Sequence, residues 1–114
     1  MITGAHVLLY SQDAEADRAF FRDILGFRSV DVGGGWLIFA LPPSEMAVHP
    51  ADHHALGAEL YLMCDDLSSF VKSLATKNVA STPFTEADWG TVTTILLPSG
   101  GRLGVYQPKH PRPV

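Results

Sequence analysis

Several features that mark a class of protein are scarce or missing in these 114 residues. The single cysteine, Cys64, cannot form an internal disulfide, so cysteine content gives no indication of an oxidising compartment. No apolar run approaches the roughly 18 residues that span a bilayer, and Met1 is not followed by the pattern of a signal peptide. We therefore expect a cytoplasmic protein without a membrane partner.

Basic residues and catalytic patterns are also few. Lys and Arg number 8 against 12 Asp and Glu, for a net charge of −4. Affinity for nucleic acid needs clustered basic side chains, so no nucleic-acid partner is expected. No Ser/His/Asp or Cys/His arrangement is visible, and the glycines at 33–35 and 100–101 lie in predicted strand turns rather than before a helix. The sequence thus excludes the commonest nucleophilic and phosphate-binding sites.

What the sequence does contain is a stretch that occurs twice. Residues 5–13 (AHVLLYSQD) and 58–66 (AELYLMCDD) align at one constant offset. Each is predicted to be a strand that ends in an aspartate, Asp13 or Asp66, whose carboxylate can accept from the free N–H groups of a following helix. The pattern indicates an internal duplication, which would dictate the whole architecture.

The predicted elements follow the order β-α-β-β-β in both halves. The first half has a helix from Asp13 to Leu25-Gly26 and strands at 27–32, 36–41 and 45–49 after its initial strand; the second has a helix from Asp66 to about Lys77 and strands at 79–85, 91–97 and 102–106. We expect one α+β domain over residues 1–107, built from two tandem modules (about 1–49 and 58–107) that form a curved, cleft-bearing mixed sheet. Residues 108–114 form a proline-rich tail.

Side-chain alternation along the two repeated strands separates two faces. One face is apolar, suits a packed helix, and carries Val7 and Leu9 in the first copy and Leu60, Leu62 and Cys64 in the second. The other face carries His6, Leu8 and Tyr10 in the first copy and Glu59, Tyr61 and Met63 in the second. A titratable residue at the same point of each copy indicates a pocket lining, although two half-exposed, solvated strands would show the same pattern.

Two segments resemble a known family. The segment HVLLYSQDAEADRAFFRDILGF, with Phe20-Phe21 before a Leu25-Gly26-Phe27 helix end, resembles the opening of the glyoxalase/bleomycin-resistance/extradiol-dioxygenase superfamily, also called vicinal oxygen chelate (VOC) proteins. The segment LPSGGRLGVYQP resembles that superfamily's closing hairpin and last strand. The resemblance covers almost the whole chain and implies this fold, but the fold does not select an activity.

The resemblance also implies which residues occupy the metal-ligand positions of the family, one in the first and one in the last strand of each module. The first-strand positions match His6 and Glu59, and the last-strand positions match Ala47 and Gly104, which cannot bind a metal. His49 lies two residues beyond Ala47 on the same face, so a triad of two histidines and one carboxylate is an alternative. A displacement of roughly 6.5 Å along the strand is large for metal bonds near 2 Å.

Three functions are compatible with these residues. The favoured one is binding of a small organic ligand, aromatic ligands included, in the cleft between the modules without a full metal site, as in the bleomycin-resistance branch. The second is a metal-dependent glyoxalase-like lyase or isomerase, or an extradiol-type dioxygenase, in which His6, Glu59 and His49 hold Fe, Ni, Zn or Mn. The third is a cofactor-free enzyme in which His6 and Glu59 move a proton.

The residues expected to contact a ligand are Leu8, Tyr10, Ala47, His49, Tyr61, Met63, Gly104 and Tyr106. We also expect a two-fold homodimer, because two thin modules leave sheet edges and apolar surface to cover. The sequence leaves open whether the two modules that form a cleft belong to one chain or to two.

Overall fold

The computed structural model describes residues 6–50, 59–111 and 113. Helix α1 spans Ala14–Ala19 and continues as a π-helical turn over Phe20–Ile24, and helix α2 spans Leu67–Ala75. The strands are β1 (Ser29–Asp31), β2 (Leu37–Phe39), β3 (Tyr61–Met63), β4 (Thr85–Ala87), β5 (Gly90–Leu96) and β6 (Arg102–Pro108). None of the helices in these residues is both long and apolar enough to cross a membrane.

The second half forms a four-stranded mixed sheet with the strand order β3-β6-β5-β4. Strand β3 runs parallel to β6, and the other neighbours are antiparallel. As predicted, Asp66 caps α2, because its carboxylate accepts from the Ser69 N–H at 3.0 Å. The Leu67 N–H of the same helix end donates to the Gln107 side chain of β6 at 2.9 Å, which ties the helix to the sheet.

The boundaries of the second half differ from the prediction in one region. The strand predicted over 79–85 is reduced to a single bridge between Ser81 and Ile95. Strand β4 begins at Thr85, the last residue of that predicted strand, continues to Ala87 in the stretch left between the strands predicted at 79–85 and 91–97, and pairs with the start of β5. The last strand continues to Pro108, so the predicted tail begins inside the sheet.

The first half forms its helix as predicted. Asp13 caps α1 by accepting from the Ala16 N–H at 3.1 Å. The helix ends at Gly26, whose φ of 73° is easily reached by glycine, and the Phe27 N–H then donates to the Phe21 carbonyl at 3.0 Å. Strands β1 and β2 form an antiparallel hairpin around Gly33, Gly34 and Gly35, all three of which have positive φ.

Two strands predicted for the first half are wrong for the chain described. Residues 6–10 and 45–49 are not strands, and none of the strand pairings among the described residues includes either segment. A strand is defined by its pairing with a neighbour, so an alternating sequence pattern is not enough to form one. The connecting segment predicted at 50–57 lies from residue 51 onward outside the described residues. The tandem repeat therefore stays a prediction.

The hydrophobic core lies between α2, the second sheet and the end of α1. Its most buried members are Leu67 and Leu74 of α2, Ile95 of β5 and Val105 of β6. Phe20 and Phe21 join them from the first half. The buried Asp17 of α1 accepts from the Ser99 N–H at 3.1 Å and from the Ser99 hydroxyl at 2.7 Å, which fixes the β5–β6 turn to the helix.

Candidate functional site

The side of the second sheet that faces away from α2 carries a cluster of aromatic rings. Leu62 and Val105 point into the core against α2, so alternation places their strand neighbours on the opposite side. Tyr61 of β3 and Tyr106 of β6 therefore share that side, and Trp89 reaches it from the β4–β5 turn. We call this surface the aromatic face and define it by Tyr61, Trp89, Gly104 and Tyr106.

The three rings of the aromatic face contact one another edge to face. The ring centroids of Tyr61 and Trp89 are 6.0 Å apart, those of Tyr61 and Tyr106 6.1 Å, and those of Trp89 and Tyr106 5.0 Å. The planes are inclined by 78–85°, an arrangement that aromatic quadrupoles favour. Tyr61 and Trp89 are each 41% exposed while Tyr106 is 9% exposed, so two rings offer surface and the third supports them.

Gly104 has no room for a larger side chain. Tyr61 and Gly104 are register partners on adjacent strands, and a methyl group added at Gly104 would overlap the Tyr61 ring. The position that the family resemblance assigns to a glutamate ligand is thus covered by an aromatic ring. The absence of a carboxylate at position 104 therefore leaves no empty space, because the Tyr61 ring occupies the space above Gly104.

Charge near the aromatic face is negative. Burial of its hydroxyl, together with the charge and hydrogen bonding of the nearby Glu59 carboxylate, raises the pKa of Tyr61. Tyr61 therefore stays a neutral phenol at physiological pH and can donate a hydrogen bond. Met63, next along β3 on the same side, is partly buried and pairs in register with Tyr106.

The Tyr106 hydroxyl also makes a polar contact, with His110 of the chain beyond β6. The hydroxyl oxygen lies 3.0 Å from His110 Nε2, and the same nitrogen lies 3.7 Å from Glu45 Oε1. The Pro111 carbonyl oxygen is 2.8 Å from His110 Nδ1. These contacts join the loop after β2 and the chain beyond β6 to the aromatic face, so residues 109–111 are anchored.

His6 lies elsewhere, at a cavity of about 560 Å³ beside α1. We call it the α1 cavity; its lining residues are His6, Val7, Leu9, Ser11, Ala14, Asp17, Arg18, Phe21, Phe27, Leu37, Ile38, Phe39, Ala40, Leu41, Pro42, Ser44 and Leu60. Val7 and Leu9 line it together with His6, although alternation predicts His6 on the opposite face. No residue of the aromatic face lines this cavity.

The remaining predicted site residues of the first half are exposed and do not line the α1 cavity. Leu8 is 66% exposed and Tyr10 93%, and Ala47 and His49 are exposed on segment 45–49. The structure brings Glu59, Tyr61, Met63, Gly104 and Tyr106 together on the second sheet. From the first half Glu45 reaches this group through His110.

The described residues do not fit a metal centre. No group of three His, Cys, Asp or Glu side chains within residues 6–50 and 59–111 is arranged to hold a metal ion. No ion pair joins His6 to Glu59 in the described chain. Cys64 offers no nucleophile, because burial, the largest influence on its thiol, raises its pKa.

Two contacts of the aromatic face were not predicted from the sequence. Trp89 lies between the strands predicted at 79–85 and 91–97, where stacking on a ligand and packing in the core were equally open, and the structure brings its ring onto Tyr106. His110 lies beyond the predicted last strand, where proline content masked its anchoring role. Asp17 carried a usable signal, since it lies three and four positions before Phe20 and Phe21 and hence on the buried stripe of the helix.

Neither a protein-family model nor a curated protein sequence matches this chain. Solved structures do match it. TnmS3, an antibiotic binding protein from Streptomyces sp. CB03234, is 24% identical with a TM-score of 0.64, over 96% of this chain and 100% of that one. A lactoylglutathione lyase from Agrobacterium tumefaciens is 17% identical with a TM-score of 0.66, over 92% of both chains.

A third match is a glyoxalase/bleomycin resistance protein from Streptomyces sp. CB03234, 24% identical with a TM-score of 0.58, over 85% of this chain and 93% of that one. These likenesses confirm the fold predicted from the sequence: a small α+β chain with the vicinal-oxygen-chelate fold. At these identities they show the fold and not the activity.

Proposed function

We propose that this chain binds a small organic molecule with a planar aromatic part against the aromatic face, and that binding needs no metal ion. One observation carries the proposal. The Tyr61 ring lies over Gly104, so a ring that can stack on a ligand stands where a metal-using relative needs a carboxylate.

The surroundings of the aromatic face support the same conclusion. Tyr61 and Trp89 expose ring surface beside the buried Tyr106, and large rings with few rotatable bonds give much contact area at little entropic cost. The Glu59 carboxylate and the Tyr61 hydroxyl supply the few polar contacts that fix a ligand's orientation. The shared fold does not decide, since it occurs in an antibiotic binding protein and in a lactoylglutathione lyase.

A tryptophan fluorescence titration tests the proposal. Trp36→Phe leaves Trp89 as the only tryptophan, so quenching by a planar compound from a small-molecule screen reports on the aromatic face. The titration is run on protein stripped with EDTA and repeated with iron(II), nickel, zinc or manganese. We expect saturable quenching in EDTA, at least about tenfold weaker binding in Tyr61→Ala, and unchanged binding in Phe84→Ala, a control of similar exposure outside the cluster.

Two results would overturn this proposal in favour of catalysis. Stoichiometric metal retained after purification without a histidine tag, required for binding and lost in His6→Ala and Glu59→Ala, would support a metal-dependent lyase, isomerase or dioxygenase. Turnover without metal, abolished by either substitution, would support proton transfer between His6 and Glu59.

We also propose that two copies of the chain associate through the first half. Leu8, Tyr10, Met46 and Val48 are between 66% and 93% exposed, and such a concentration of exposed apolar side chains is typical of an interface. Neither segment that carries them takes part in a strand pairing among the described residues, and we infer that the same segments of a second copy cover these side chains.

Light scattering at micromolar concentration measures this association directly. We expect a dimer for the wild type and a monomer for the double variant Leu8→Lys/Val48→Lys, because buried unpaired charges oppose association. Ser68→Lys on the exposed side of α2 is the control for added charge and should remain a dimer. A wild-type monomer would contradict the proposal.

A further inference from the structure

We propose that the α1 cavity is a second binding site, which takes an amphiphilic anion: a molecule with an apolar body and one anionic oxygen group. The site is independent of the proposed function, since the aromatic face contributes none of its lining. It lies on the opposite side of segment 6–10 from the outward residues Leu8 and Tyr10.

The size and walls of the cavity suit a small organic molecule. Its volume of about 560 Å³ falls within the range of ligand sites, which is roughly 300–1,000 Å³. Phe21 stands between Phe27 and Phe39, with ring centroids 5.9 Å and 5.8 Å away, and the three rings form one apolar wall. Val7 and Leu9 add further apolar side chains to the lining.

Arg18 gives the cavity its charge preference. Its guanidinium carbon lies 4.5 Å from the centroid of the Trp36 ring, a distance typical of a cation–π contact. A guanidinium carries its N–H donors in a planar fork that suits an anionic oxygen group. No acidic side chain in the described residues forms an ion pair with Arg18.

The lining contains one acidic residue, Asp17, beside Arg18. Both carboxylate oxygens of Asp17 accept hydrogen bonds from Ser99, so they are directed to the β5–β6 turn, whereas no such bond occupies the Arg18 guanidinium in the described residues. Ser11 and Ser44 add neutral donors to the lining. The cavity therefore combines three phenylalanines with a guanidinium whose donors are available, and these are the groups that an amphiphilic anion needs.

Two fluorescent probes that share one ring system test the inference. They are 1-anilinonaphthalene-8-sulfonate, which is anionic, and N-phenyl-1-naphthylamine, which lacks the sulfonate; both brighten in apolar surroundings. We expect a saturable site that binds the sulfonate about tenfold more tightly than the neutral probe and that remains in Tyr61→Ala, the variant in which probe bound to the aromatic face is lost. Arg18→Gln should remove this preference and leave the affinity for the neutral probe unchanged, whereas Arg18→Lys should retain most of it.

Two further variants locate the site. Ala40→Trp fills the cavity wall with bulk and should weaken binding of both probes at this site, while Tyr61→Ala on the aromatic face should leave the sulfonate preference and its dependence on Arg18 unchanged. Circular dichroism on each variant checks that it folds. Binding that never saturates, a sulfonate preference that survives Arg18→Gln, or loss of the site in Tyr61→Ala would each overturn the inference. The last result would leave the function proposed for the aromatic face intact, so the two proposals fail separately.

Discussion

The two halves of this chain begin with nearly the same sequence pattern but differ in how much of it they complete. In the second half β3, α2 and three further strands close into one sheet, with Ile95 and Val105 almost fully buried. In the first half only the hairpin of β1 and β2 is paired, and segment 6–10 has its apolar residues half to almost fully exposed.

The difference shows that an alternating sequence pattern determines which side chains share a face of a segment, but not which other strand that segment pairs with. Val7 and Leu9 line the α1 cavity, but so does their neighbour His6. Strand β3 forms because β6 runs beside it in parallel, from Tyr61–Gly104 to Met63–Tyr106. Among the described residues segment 6–10 has no such neighbour, and this motivates the proposed dimer.

The largest expected difference between the halves is in the stability lost when one buried or half-buried isoleucine is truncated in each. Ile95→Ala removes a side chain with no exposed surface and is expected to lower the free energy of unfolding by about 2–5 kcal/mol. Ile38→Ala, in the first-half hairpin, removes a side chain that is 37% exposed and should cost under about 1 kcal/mol. Urea unfolding measures both; equal costs would show that the first half is packed as tightly as the second.

The link between the halves is the next largest effect. Asp17→Ala removes both hydrogen bonds to Ser99 from a buried carboxylate and should lower the free energy of unfolding by about 2–3 kcal/mol. Ser99→Ala removes only the hydroxyl donor and should cost less. Glu15→Ala, an exposed acidic residue in the same helical turn, is the control. An effect of Asp17→Ala no larger than that of Glu15→Ala would mean that the halves are held by packing alone.

Gly104→Ala tests the close contact on the aromatic face. The new methyl group overlaps the Tyr61 ring, so we expect a loss of about 1–3 kcal/mol in stability and weaker quenching of Trp89 by ligand. In a Tyr61→Ala background the same substitution should be nearly neutral, because the ring that it meets is gone. Gly101→Ala, which meets only Ser99 Oγ and Leu97 at 3.3–3.6 Å, is the control. An equal loss of stability from Gly104→Ala with and without the Tyr61 ring would show that the new methyl group does not overlap that ring.

The smallest effect is the acid dependence of α2. Hydrogen bonds from the Ser69 N–H and hydroxyl lower the pKa of Asp66 below its ordinary value of 3.8. A lowered pKa in the folded state adds stability above the unfolded pKa, and this stability is lost as pH falls below about 4. Wild type should therefore exceed Asp66→Ala in urea midpoint at pH 7, and the gap should shrink at pH 3. Asp65→Ala should show no such gap; a gap independent of pH would contradict the assignment.

The sequence was most informative where local chemistry decides the structure. Asp13 and Asp66 cap their helices as expected, and Gly26 ends α1, because each depends on neighbours within a few residues. The outcomes that it could not predict depend on long-range register. Tyr61 meets Gly104, and Trp89 meets Tyr106, only because β3, β5 and β6 align as they do. The predictions of strands at 6–10 and 45–49 also depended on distant partner strands, and no such pairing occurs among the described residues.

Ligand binding by the aromatic face without a metal can be observed directly by NMR. Metal-free protein with labelled tyrosine and tryptophan rings is titrated with the planar compound found by Trp89 quenching. We predict that the largest ring shifts in EDTA occur at Tyr61, Trp89 and Tyr106. Shifts that appear only after metal is added, or that centre on residues 6–44, would contradict the claim.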